Sequence, residues 1–346
     1  MRLMQAAAGT GLRDHRDLVG PAGELTLAEV ERSGLRGRGG RWAPAAARLR
    51  AVRHCHTVVV NGMEGDPLSE KDTWLLQHAP HLVADGAVAV ARMLGAREIT
   101  VAVPEGIDGL GALLKEAFAG RDGHEPPVQV AENRGGYFAG EDTALVSALR
   151  GGPAVPTAFL PSDEGWFVGN AETLAQLALI ARHGAAWFRG QGTAAAPGTM
   201  LVTLTGAVPH PGVHEVPVGT PLARLAHPAG PVLLGGHRGL WLPGEAARNV
   251  NLDPDVTPCE AATVTVLPAG APVLERTREM TEWLKAQGAS DAGTARLVAS
   301  ALSVSAAESA RARRLVRAHD DAPSVFPQSG PIDSIVFGPA SFLPAA

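Results

Sequence analysis

The sequence predicts an α/β protein built on a parallel sheet, continued by a β-rich segment and a helical end. Three observations predict it. Residues 57–61 (TVVVN), 99–103 (ITVAV) and 128–131 (VQVA) are rich in β-branched residues, and apolar helical stretches lie between them at 80–94 and 110–118. That alternation is the pattern of parallel strands joined by crossover helices. After Pro197 the texture changes: GTMLVTLTGAV (198–208) alternates as a strand does, and Gly- and Pro-dense runs follow to about residue 245. Two helical segments, 273–287 and 294–319, then precede a Pro-rich, apolar stretch.

Each element has a local cause. Pro80 suits a first helical turn and Gly95 a helix stop, which brackets 80–94. In open parallel sheets ligands gather beyond the carboxyl ends of the strands, and NGMEGD (61–66), PEG (104–106) and ENRGGY (132–137) fall there. The segment 294–319 ends in a basic cluster, Arg311, Arg313, Arg314 and Arg317.

Composition excludes several classes. With 346 residues, 45% hydrophobic and 19% charged, the chain can build sizeable cores. A formal charge of −5 offers no basic field for nucleic acid. Of 30 basic residues only Lys71, Lys115 and Lys285 are lysine, so a single Arg carries little information here. Two cysteines, Cys55 and Cys259, exclude a disulfide scaffold and cannot alone hold a four-cysteine metal or iron–sulfur site. No apolar run reaches the ~18 residues of a membrane span, and residues 1–11 lack a signal peptide's apolar core. The expectation is a cytoplasmic protein with no membrane span.

The densest chemical signal is GLRGRGG (34–40). Its glycines let backbone N–H groups converge on an anion, and Arg36, Arg38 or Arg48 could add contacts to a phosphate. No Gly-Lys-Ser/Thr follows, so it is not a Walker loop; Trp42 stands where a dinucleotide fingerprint needs its third glycine. NGMEGDP (61–67) supplies two acids and an amide able to accept from ribose, ribityl or ring N–H donors. RGGYFAGEDT (134–143) joins a strand to a helix with an acidic first turn, which also suits the helix dipole without any function. His54-Cys55-His56 is a poor metal site, because adjacent residues rarely converge on one ion. His78 and His81 read as a surface helix start.

These runs, in the order GLRGRGG, NGMEGDP with Lys71-Asp72, GGYFAGEDTAL (135–145) and NAETLA (170–175), resemble the flavoprotein subunit of NADH-quinone oxidoreductase, respiratory complex I, and its soluble relatives in hydrogenases and formate dehydrogenases. The resemblance covers roughly residues 25–310. It implies a non-classical Rossmann-like FMN-binding α/β domain (1–196), an SLBB-type β-grasp domain (197–268), a shortened helical region (269–320) and a Pro-rich tail (321–346). It further implies that Gly37, Arg38, Gly39 and Gly40 cradle FMN. Arg48 stands in place of a flavin-contacting Lys, and Asn61, Glu64, Tyr137, Gly140, Glu141, Asp142 and Asn170 match flavin-pocket positions. On the same basis Asp66, Phe159 and Trp42 are candidates to bind the nicotinamide nucleotide.

Departures from the family are equally specific. The Phe that stacks on adenine is Ala43, with Trp42 as its neighbouring substitute, and Met63 replaces a flavin-contacting Asp. Gly169 stands for the first of two asparagines. The Cys-x-x-Cys-x-x-Cys run is absent, Ser290 takes the position of the fourth Cys, and a deletion falls between Gln287 and Gly288. No iron–sulfur cluster is therefore expected. The implied function is FMN-dependent oxidoreduction, with electrons from NADH or another nicotinamide donor passing to a partner such as a ferredoxin or cytochrome, or to a small acceptor. The alternative is a non-catalytic paralogue that serves as scaffold or binding subunit of a redox complex.

Overall fold

The computed structural model describes residues 2–7, 9, 11–21, 23–121, 123–257, 261–289 and 292–320. Cys259, Ser290 and the stretch 321–346 lie outside them. The chain divides into a unit of Met1–Glu308 and a second of Ser309–Ala346. Apart from the end of the last helix, the elements below belong to the first unit.

Helices α1 (Leu12–Val19), α2 (Leu27–Ser33) and α3 (Ala45–Ala51) lead into β1 (Thr57–Asn61), α4 (Lys71–His78), α5 (Pro80–Leu94), β2 (Glu98–Pro104), α6 (Leu110–Ala119), β3 (Val128–Asn133), α7 (Asp142–Leu149), β4 (Trp166–Asn170) and α8 (Ala171–Arg189). The four strands run parallel in the order β3-β2-β1-β4. Every residue of β1 is buried, as expected of a parallel strand covered on both faces. Val58, Val60, Ile99, Val101 and Val103 join the core that includes α5 and α8. Val59, Ala102 and Val168 pack instead with Leu145 and Val146 of α7. The sequence reading predicts three of these strands. It lacks β4, a five-residue strand (WFVGN) that ends in Gly-Asn.

Helix α5 has Pro80 in its first turn and ends on Gly95 at φ +73°, the αL stop that glycine takes without steric cost. It meets α8 so closely that a Cβ on Gly86 would lie 1.9 Å from the Leu174 carbonyl oxygen. His81, expected at a surface, is fully buried on this helix.

Beyond Pro197 come β5 (Thr199–Gly206), β6 (Gly212–Pro217), β7 (Thr220–Pro221), β8 (Val232–Leu234), β9 (Leu240–Leu242), the single turn α9 (Gly244–Ala247), β10 (Asn251–Leu252) and β11 (Thr263–Val266). Five of them make a second sheet, β6-β5-β11-β8-β9, in which only β5 and β11 are parallel; β7 and β10 pair separately. Its central strand β11 comes after the Gly/Pro-dense run that marks the region in sequence. One face buries Met200, Val202, Leu204, Val232, Leu234, Val264 and Val266. The other, through Leu233 and Trp241, meets α10 (Val273–Ala286) and α11 (Ala292–Asp320) at Val273, Leu297, Ala301 and Val304. Among the described residues no helix is long and apolar enough to cross a membrane.

Candidate functional site

The chain steps outward from β1 through β2 to β3, then returns to the other side of β1 as β4. Between β1 and β4 the order reverses, and such a switch point leaves a crevice beyond the carboxyl ends of the strands. Asn61 and Asn170 end the two strands there and are register partners.

The Gly-rich loop lies against this point. The Arg38 N–H donates to Thr173 Oγ1 at 2.8 Å, and a Cβ on Gly39 would sit 3.1 Å from the Asn170 Cβ. Gly40 has φ +93°. Among the described residues the N–H groups of Gly39 and Gly40 meet no protein acceptor. They adjoin the N-terminus of α8, where Asn170 Oδ1 caps the N–H groups of Glu172 and Thr173. Free loop donors beside a helix N-terminus fit a phosphate. The rest of the loop is tied down. Gly37 N donates to the Ala43 carbonyl and Arg36 to that of Trp42 and to Asp255. The buried Arg38 guanidinium donates to the carbonyls of Thr199, Arg36 and Pro197.

Under the loop lies a buried charge cluster. Lys71 Nζ is 2.9 Å from Asp72 Oδ2 and 3.1 Å from Glu172 Oε2. Asp72 also accepts from Asn170 Nδ2 at 2.7 Å, and Glu172 from the Leu201 N–H at 2.9 Å. Glu64 Oε1 accepts from the N–H groups of Asp72 and Thr73, at the start of α4. Burial, then the neighbouring Asp72, pushes the Glu64 carboxyl up to about 7. Burial alone would lower Lys71, but Asp72, Glu172 and Glu64 outweigh it and raise it. Burial also lowers Arg38 to about 10 and raises Glu172.

The loop after β3 closes the far side. Asn61 Nδ2 donates to the Gly140 carbonyl at 2.8 Å, and Asn61 Oδ1 accepts from Met63 N. Glu141 caps α7 by accepting from the Thr143 and Ala144 N–H groups. Arg48 reaches over from α3 to Asp142 at 2.6 Å and to the Val168 carbonyl at 2.8 Å. Burial raises the Asp142 carboxyl. The loop after β1 continues to Asp66, which is bound by His237 of the turn after β8.

The structure thus gathers Gly37, Arg38, Gly39, Gly40, Arg48, Asn61, Glu64, Gly140, Glu141, Asp142 and Asn170 around one crevice, with Tyr137 and Asp66 on its adjoining loops. One expectation is corrected. Trp42 is 5% exposed, inside the core of the second sheet, with the Arg38 guanidinium 4.5 Å over its ring. It offers no face to a nucleotide. Phe159 shares the Arg150 guanidinium with Trp166 and packs against the cluster that includes Met63, Leu145, Val146 and Val168. The tripeptide His54-Cys55-His56 is partly engaged locally, Cys55 with the Thr57 carbonyl and His56 with Thr57 and the Glu164 carbonyl.

Lys71, Asp72 and Glu172 were not among the site residues expected from sequence. Their signals are Lys71 itself, a rare lysine in an arginine-rich chain, and the runs Lys71-Asp72 and NAETLA, which contain all three. His237, Trp283 and Gln287 reach the site from distant segments and carry no local signal.

Residues 30–179 match the protein family described as the Nuo51 FMN-binding domain. A subunit of the NADH-quinone oxidoreductase of Mycobacterium tuberculosis is 33% identical over 247 residues, 63% of this chain and 55% of that protein. The corresponding subunit of Streptomyces coelicolor is 30% identical over 259 residues, 68% of this chain and 57% of that one. The HoxS subunit alpha of the NAD-reducing hydrogenase of Cupriavidus necator is 31% identical over 224 residues, 58% and 37%. A chain in the crystal structure of an H2-reduced NAD+-reducing NiFe-hydrogenase superposes with a TM-score of 0.70 at 27% identity, covering 75% of this chain and 49% of that one. The chain spans a little over half the length of these NADH-quinone oxidoreductase relatives. Over residues 30–179 the chain is therefore similar to the Nuo51 FMN-binding domain family, and its relatives include subunits of NADH-quinone oxidoreductases and of an NAD-reducing hydrogenase.

Proposed function

We propose that the chain holds FMN at the switch point between β1 and β4 and works as a flavoprotein of the NADH-dehydrogenase type, taking reducing equivalents from a nicotinamide nucleotide. One observation carries this reading: the unpartnered N–H groups of Gly39 and Gly40 stand beside the N-terminus of α8, in the crevice where the family match falls. Those donors would take the phosphate. Asn61, Glu64, Glu141 and Asn170 would orient the polar edge, and Tyr137 would border it. FMN, when bound, supplies the hydride and electron chemistry; the chain's residues bind, orient and exclude water.

The second sheet fits an SLBB-type β-grasp domain over residues 197–268, following an FMN-binding domain over 1–196. Helices α10 and α11 then stand as a shortened helical region over 269–320, followed by the Pro-rich tail. With two cysteines in all, the chain has no four-thiolate set for an iron–sulfur cluster. Electrons would pass directly to a docked acceptor such as a ferredoxin or cytochrome, or to a small molecule. The cytoplasm, with its pool of nicotinamide nucleotides, is the compartment this reading requires.

A second reading, a scaffold paralogue, is favoured by the burial of Trp42 and by the engagement of Asp66 with His237, two residues expected to contact the nucleotide. The visible spectrum separates the readings. Flavin bands that appear with added FMN and bleach with NADH support the oxidoreductase. Absence of bound flavin at large FMN excess leaves the scaffold.

A further inference from the structure

We propose that His237 is a positioning residue of the site: it holds the Asp66 carboxylate and, through Trp283, the ring of Tyr137, so that the second sheet sets the shape of the pocket. The role of the pocket as an FMN site is the reading given above, and the inference rests on it.

The contact is made from both sides. Asp66 Oδ2 accepts from the backbone N–H of His237 at 2.6 Å, and Oδ1 pairs with the ring Nδ1 at 3.0 Å and with the Leu68 N–H at 3.0 Å. The preceding residue favours glycine. Gly236 has φ +71°, and a Cβ there would fall 2.1 Å from Asp66 Oδ2. A carboxylate accepts only, so His237 must carry its proton on Nδ1. The imidazole then packs 4.8 Å from the Trp283 ring of α10. Trp283 meets Tyr137 edge-on at 6.0 Å. Tyr137 is held again by Gln287 Oε1, which accepts from its N–H at 3.3 Å, and by the Arg238 guanidinium 5.9 Å over its ring. One unbroken series of contacts, Asp66–His237–Trp283–Tyr137, thus joins the loops after β1 and β3. Among the described residues, charged groups joined to this turn include Asp66, Arg238 and, through the Arg238 carbonyl, Arg296.

The test uses the full chain as wild type, His237→Ala, His237→Asn and Trp283→Phe. FMN affinity is read by quenching of flavin fluorescence. Tryptophan emission is followed in the same proteins, with Trp283→Phe identifying the Trp283 contribution. Removing the ring donor to Asp66, with the backbone N–H of residue 237 still in place, should weaken FMN binding by about tenfold. The Asn variant, whose amide N–H can take the place of Nδ1–H, should recover most of that loss. Trp283 emission should differ from wild type in His237→Ala, where the ring packed against the indole is gone.

Unchanged affinity in His237→Ala would overturn the inference. So would an Asn variant as weak as the Ala variant when both are folded by circular dichroism, because a purely structural role predicts that result. If the wild type binds no FMN, the flavin reading fails by itself. The positioning contact is then judged on emission: a Trp283 signal altered in His237→Ala sustains it and an unchanged one overturns it.

Discussion

At the strand ends, three carboxylates, Glu64, Asp72 and Glu172, surround two cations, Lys71 and Arg38. Around α5 the proportions reverse. Asp85, 1% exposed, is met by His15 at 2.9 Å, Arg121 at 2.6 Å, Arg182 and, further off, Arg16, while Glu125 takes the remaining contacts of Arg121 and Arg16. Burial would raise Asp85, but hydrogen bonds from His15 and Arg121 and the charges of Arg121 and Arg182 outweigh it and hold the carboxyl well below the usual range. A carboxylate with surplus cations is locked in its ionised form and works as a clamp, here tying α1, α5, the turn after α6 and α8 together. A cluster with surplus carboxylates leaves one of them near half-protonation at neutral pH. Both clusters are buried, and the balance of charge decides which is rigid scaffold and which remains chemically responsive.

The largest effect expected from breaking this contrast is at the clamp. Asp85→Ala leaves Arg182 buried without its counter-charge and Arg121 with Glu125 alone, and losing one partner of a buried ion pair costs about 3–5 kcal/mol. Urea unfolding should show that loss, with FMN affinity unchanged in the folded protein. Lys71→Met should cost somewhat less, about 2–4 kcal/mol, because Asp72 keeps Asn170 as a donor. Unlike the clamp variant, it should also weaken FMN binding, since it frees the charges beneath the loop.

Third comes pH. The carboxyl of Glu64 is near 7 in the fold and about 4.3 in an unfolded chain. The folded state therefore holds the proton more tightly, and the group lowers stability as pH rises from about 4 to 7. Glu64→Gln should stabilise the protein by about 1–3 kcal/mol at pH 8 and by nothing near pH 4. Asp85 behaves oppositely: its folded value lies below the unfolded one, so its contribution is present above pH ~4 and lost as pH falls through the folded value. Wild-type and Gln variant curves measured from pH 3 to 8 separate the two. The smallest effect belongs to the exposed pair Lys115–Glu132 at 2.8 Å. Lys115→Met should shift stability by less than about 1 kcal/mol, which would show that burial, not charge alone, sets the other magnitudes.

How much of this was legible depends on whether the cause is local. The strand at 57–61 and the helix at 80–94 follow from β-branched runs and from Pro and Gly punctuation, and the structure reproduces both ranges. The crevice was legible through strand-end motifs, though its switch point was not, because β4 is too short and too Gly-rich to declare itself. Trp42 went astray because an aromatic residue in sequence does not show which core it enters. His237 lies 171 residues from Asp66, and Glu172 meets Lys71 across a hundred residues of chain. No periodicity or cap encodes such pairs.

The burial of Trp42 has a consequence in time. The Gly-rich loop is held in shape by an indole that enters the same core as Met200, Val232 and Val264, and by an arginine bonded to the carbonyls of Pro197 and Thr199. During synthesis the loop emerges before its anchors, which follow more than 150 residues later. Contacts of such separation form late, after the ends of a long loop have been brought together. The nascent chain would thus have its parallel sheet before it has a phosphate-binding loop, and competence for the ligand would begin only when β11 completes the second core.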